Sequence, residues 1–165
     1  QRNYPPAKFV RDGGFGRSGE VVDSLICEGS IVCSASLFNV MAGYNCHFHS
    51  NVQVDDAVIL SGCDVGSTSR LRRILMDKNC SIAPGTVIGY DDDADKARFP
   101  FRTDSGIVVL PKGTHVPREG PIELASDMAP MLRNDPQTKR VIAQFAERLA
   151  FHDGTRHSHD PAANR

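Results

Sequence analysis

The sequence predicts a mainly β fold, a parallel β-helix of short stacked coils, followed by one amphipathic C-terminal α-helix. Three apolar columns carry the prediction. At a step of 17 residues Ile31, Phe48, Val65 and Ile82 align, as do Leu37, Val54, Leu71 and Ile88, and then Leu25, Ala42, Ile59 and Met76. Two positions earlier stand small or apolar partners: Gly29, Cys46, Cys63 and Cys80; Ala35, Val52, Ser69 and Thr86; Val40, Ala57 and Ile74. A pair of inward residues at i−2 and i samples the two-residue alternation of a strand. Three such strands per coil, five or six residues apart, describe a triangular hexapeptide-repeat solenoid in which each coil buries its faces against its neighbours.

Taken in order, residues 1–21 are expected as an opening segment and residues 22–112 as the β-helix, with about four coils over 22–90 and a returning strand near 98–109. The GGFGRSG run at 13–19 has glycines but no preceding apolar strand and no following helix, which argues against a phosphate cradle. The Asp91-Asp92-Asp93 run is expected to solvate the turn leaving the last coil. Residues 113–135 read as a linker. Asp135 is placed as an N-cap with Pro136 at the first helical position, and Val141, Ile142, Phe145 and Leu149 make a helical stripe over 136–152. Residues 153–165 read as a disordered tail.

Composition narrows the function classes. The chain has 165 residues, 40% of them apolar, enough for one domain with appendages. Its net charge of −1, with both signs interspersed, argues against a nucleic-acid partner. It has no apolar run of about 18 residues and no signal-peptide pattern, so the expectation is a cytoplasmic protein with no membrane partner. Five cysteines lack zinc-like spacing, and three of them occupy small inward positions, so they are expected as core thiols and no metal site is expected.

The run SRLRRILMDKNCSIAPGTVIGYDDDADKARFPFRTDSGIVVL, with PPAKFV and VDSLICEGSIV before it, resembles the C-terminal domain of bacterial ADP-glucose pyrophosphorylase, glucose-1-phosphate adenylyltransferase. The family pattern is met at Leu71 to Arg73, Asp77 to Cys80, Ile82 to Gly89 and Arg98 to Val108, within a match from about Pro5 to Lys112. Ala83 before Pro84, Phe101 beside Pro100, and His49 and Asn51 at frequent glycine positions depart from it. The resemblance implies a left-handed winding and a regulatory and oligomerisation domain. It further implies an N-terminal catalytic domain as partner and a homotetrameric assembly. The parent enzyme makes ADP-glucose from ATP and glucose 1-phosphate with Mg, and this domain is expected to hold no cofactor and no catalytic residue.

The resemblance also implies a sugar-phosphate effector site. Lys78 and Lys112 match basic positions of the family, and Arg72 and Arg73 complete the candidate cluster; converging cations are what a phosphate needs. The residues alone allow another reading, in which Arg72 stacks on Asp55 and Arg73 lies near Asp56 as cross-coil ion pairs. A rival function is a hexapeptide-repeat acyltransferase or γ-carbonic-anhydrase-like protein using His47. His47 and His49 flank inward Phe48, and Asp64 lies one coil from His47 as an orienting carboxylate. Zinc needs at least a third ligand, and the column mates Ser81, Gly66 and Ala83 supply none. Both histidines are therefore expected to face solvent.

Overall fold

The computed structural model describes residues 3–11 and 19–124. The helix expected over 136–152, the tail over 153–165 and most of the glycine run at 13–19 lie outside them. The described elements are β1 (Lys8–Val10), β2 (Val21–Val22), β3 (Leu25–Ile26), β4 (Ile31–Cys33), β5 (Ser36–Ala42), β6 (His47–Phe48), β7 (Gln53–Ile59), β8 (Asp64–Val65), β9 (Arg70–Met76), β10 (Ser81–Ile82), β11 (Val87–Ile88), α1 (Asp92–Arg98), β12 (Val108–Leu110) and β13 (His115–Val116).

All named strands pair in parallel, and they stack as a β-solenoid. One face is the ladder β1-β4-β6-β8-β10-β13. The long strands β5, β7 and β9 serve two faces each, because Asn39, Asp56 and Arg73 bend them midway at φ of 52°, 51° and 48°. β2 pairs the first half of β5 and β3 the second; β11 and β12 divide β9 in the same way. Left-handed residues also mark the other two corners, at Asn45, Gly62 and Asn79 and at Ser34, Asn51, Thr68 and Gly85. Asn and Gly enter that region most readily, which is why they recur at corners.

The core fills the triangle. Phe48, Val65 and Ile82, Leu37, Val54, Leu71 and Ile88, and Ala42, Ile59 and Met76 are all buried. Cys46, Cys63 and Cys80 lie buried in line as expected, each 1% exposed. Their thiols donate to carbonyls of the following coil, Leu60 at 3.2 Å, Asp77 at 3.1 Å and Pro111 at 3.0 Å. The column therefore selects small donors, and buried Ser30 and Thr114 extend it at either end.

The first coil departs from the 17-residue step. Leu25 is 57% exposed and Ile31 only half-buried, while Ile26 pairs with Ala42 and Val32 with Phe48. One residue separates Val32 from the left-handed Ser34, whereas two separate Phe48 from Asn51. This shorter corner shifts every upstream position by one, and a one-residue slip in a strand exchanges its inner and outer sides.

The acid run is a helix start rather than a solvated turn. Asp91 caps α1, its carboxylate accepting from the Asp93 and Ala94 amides. Asp95 is buried on that helix and accepts from the Gly89 amide at 2.8 Å; desolvation holds its carboxyl above the usual range. After this excursion β12 rejoins the face built from the second halves of β5, β7 and β9, the third face, and β13 rejoins the β1-β4-β6-β8-β10 ladder, the first. The linker expected from 113 thus begins inside the solenoid, with Thr114 and Val116 fully buried. A polar inward Thr hides the alternation there.

Candidate functional site

With inward positions filled, each short strand exposes little, and outward side chains stack coil upon coil. On the third face the outward column is Leu25, Met41, Val58, Leu75 and Val109, in register through five coils. It is apolar throughout. Leu25 and Met41 are 57% and 49% exposed, Val58 and Leu75 half-buried, and Val109 is covered.

The expected effector residues lie at the two ends of this face. Leu110 pairs with Met76 and the Gly113 amide donates to the Lys78 carbonyl at 2.9 Å, which sets exposed Lys112 over exposed Lys78 on neighbouring coils. Among the described residues neither lysine has a carboxylate within ion-pair distance. Arg72 and Arg73 stand at the other corner, five or six residues back along the chain, roughly 16–20 Å for extended backbone.

Arg72 does face Asp55 in register, but neither Arg72–Asp55 nor Arg73–Asp56 forms an ion pair among the described residues. Their carboxylates are engaged otherwise. Asp55 accepts from the Tyr90 hydroxyl at 3.3 Å, with the Arg70 guanidinium 4.4 Å over that ring. Asp56 accepts from the Asn39 amide at 2.7 Å. The expected charge ladder is thus a set of hydrogen bonds and a cation–π contact.

On the first face the outward column is Ile31, His47, Asp64, Ser81 and His115. Buried Phe48 sets His47 and His49 on the outer side of β6 and just beyond it, and their rings stack with centroids 3.8 Å apart. Both approach the same carboxylate oxygen: Asp64 Oδ1 is 3.0 Å from His49 Nε2 and 3.6 Å from His47 Nδ1. The other nitrogen of His47, Nε2, is 3.8 Å from Cys33 Sγ. Desolvation, and secondly the neighbouring His49, hold His47 below the usual imidazole range against the pull of Asp64. The sequence holds the signal for a third donor, an H-x-H with Asp 17 residues after the first His, whereas the column mates Ser81, Gly66 and Ala83 contribute none. Ser81 instead bonds His115 Nδ1 at 2.8 Å.

Comparison with known proteins places residues 5–110 in the family described as GlmU-like, C-terminal hexapeptide. Among curated relatives, a glucose-1-phosphate adenylyltransferase of Rhodopirellula baltica is 40% identical over 115 residues, covering 68% of this chain and 26% of that protein. Those of Koribacter versatilis and Hydrogenovibrio crunogenus are 37% and 40% identical over 124 and 110 residues, covering 75% and 67% of this chain. The chain spans about a quarter of the length of these relatives, 26% to 29%.

Proposed function

The chain belongs to the GlmU-like C-terminal hexapeptide family, and from that premise we propose that it is the regulatory and oligomerisation domain of a glucose-1-phosphate adenylyltransferase. In this reading the nucleotidyl transfer from ATP to glucose 1-phosphate, the ADP-glucose-forming step of glycogen synthesis, belongs to an N-terminal catalytic domain. The solenoid serves that domain by docking and by sensing. The observation that carries the reading is the apolar outward column of the third face. An exposed Leu25 and Met41 continuing into Val58 and Leu75 is a contiguous apolar strip of the kind that marks a protein interface.

The effector reading rests on Lys78 and Lys112. Two ammonium groups held on adjacent coils repel each other, and a phosphate between them removes that cost. Lysine binds phosphate as a point charge without the arginine fork, so further cations from the catalytic domain are needed for tight binding. Arg72 and Arg73, at the opposite corner, add to the positive field along the face.

The test is made in the full-length enzyme. Met41→Glu with Leu75→Glu should lower the oligomeric state by light scattering, and an unchanged tetramer would refute the docking role. Separately, Lys78→Ala should shift the activation curve for fructose bisphosphate, fructose 6-phosphate or pyruvate. If all three curves stay in place, the effector site is elsewhere.

A further inference from the structure

We propose that His47, His49 and Asp64 form a binding site for a first-row divalent transition ion such as Zn2+, on the outer side of the first face. This site is independent of the docking and effector roles above. The three donor groups come from two adjacent coils, and one ligand atom from each lies within 4.8 Å of the others. Two edges of the triangle, His49 Nε2 to Asp64 Oδ1 at 3.0 Å and His47 Nδ1 to the same oxygen at 3.6 Å, bracket the value for a tetrahedral ion. Zinc bonds near 2.0–2.1 Å put neighbouring ligands about 3.3 Å apart. The third edge, between the two imidazoles, lies within 4.8 Å, and rotation of the exposed His side chains closes it around an ion.

The scaffold holds the donors in place without an ion. Phe48, between the two histidines, and Val65, next to Asp64, are fully buried, so β6 and β8 cannot turn these side chains inward without exposing core. The coil spacing then fixes their separation. A single carboxylate oxygen serves two stacked imidazoles, and a divalent ion bound by all three groups engages each of them at once. The second ring nitrogen of His47 is free for an outer contact, and Cys33 Sγ at 3.8 Å supplies it; partners of this kind orient ligating histidines. Two imidazoles favour zinc, nickel or cobalt over calcium and magnesium, which take oxygen ligands.

Three protein donors leave at least one coordination position open. The side chains are 37%, 38% and 51% exposed, so that position faces solvent and the ion exchanges with it. The site therefore suits a reversibly bound ion carrying water or a small anion.

The experiment is a calorimetric titration of the full chain with Zn2+ near pH 7.5, repeated with Co2+ to read its visible absorption. One equivalent should bind. His49→Ala, its milder partner His49→Gln, and Asp64→Asn should each weaken binding more than about 100-fold, whereas Cys33→Ser, which removes only an outer contact, should weaken it about 10-fold with the stoichiometry kept. These positions face outward, and unchanged thermal unfolding of each apo variant would show an intact fold. No saturable binding would overturn the proposal. So would binding that survives Asp64→Asn and His49→Ala together, since it would then belong to other histidines, His157 and His159 among them.

Discussion

Cys63 shows how much a single inward position is constrained. It sits between Cys46 and Cys80 in the stack, 1% exposed, with its thiol on the Asp77 carbonyl at 3.1 Å. A serine keeps size and donor, so Cys63→Ser should leave the melting transition nearly in place; Cys63→Leu overpacks the corner and should cost about 1–3 kcal/mol in denaturant unfolding. Thiol reagents should label half-buried Cys27 and Cys33 in the native chain and reach the other three only on unfolding. Gly89 is constrained by its backbone. It adopts φ of 84°, and a Cβ there would overlap the Arg72 carbonyl oxygen. Gly89→Ala must displace either the turn or β9, and a loss exceeding about 2 kcal/mol is expected, with part of it from the left-handed backbone. At this scale the buried cysteines were legible, because a small residue recurring at the repeat period marks a tight inward corner.

The elements divide between those that announce themselves and those that do not. β5, β7 and β9 read clearly because each places three inward apolar residues among seven. α1 did not, since its seven residues carry no apolar period, yet its ends were written out: Asp91 as cap, acids in the first turn, Lys96 and Arg98 in the last. Asp91→Ala should cost about 1 kcal/mol by thermal unfolding. Asp95 gives the helix a pH dependence. Its folded pKa is raised above 3.8, mainly by desolvation, so the stability it contributes is fully present below that value and is lost as pH rises through the folded pKa. Asp95→Asn keeps an acceptor for the Gly89 amide and removes the buried charge. Its stability relative to the parent chain should therefore increase from pH 3 toward neutrality; a constant difference across that range would show that folding leaves the Asp95 pKa unchanged.

Across the whole molecule the solenoid closes one edge with its own chain. His115 and Glu123 exchange two backbone hydrogen bonds of 2.8 Å, so the segment after β13 folds back over the last coil. An exposed ladder edge invites pairing with other strands, and this bridge covers part of it. Among the described residues, none covers the apolar column of the third face at its early coils, where Leu25 and Met41 are exposed. On the proposed function, full-length enzyme carrying Leu25→Lys and Met41→Lys should dissociate at lower dilution than the parent, measured by sedimentation; an unchanged dissociation would show that the column meets no other subunit.

The sequence by itself determined the repeat period of the coils. The 17-residue recurrence from Leu37 to Ile88 specifies which side chains point inward, because a solenoid repeats the same local environment and each environment restricts residue size and polarity. It also placed His47 and His49 outward, since alternation leaves them no other side. Tertiary structure decided what periodicity cannot encode. The one-residue-shorter corner at Ser34 reset the register of Leu25 and Ile31, an event visible only when hydrogen-bonded partners are known. The excursion through α1 returned at β12, bringing Lys112 over Lys78 across 34 residues of chain. Asp64 came to face both histidines because neighbouring coils juxtapose diagonal as well as direct column positions, and a side chain reaches along either one.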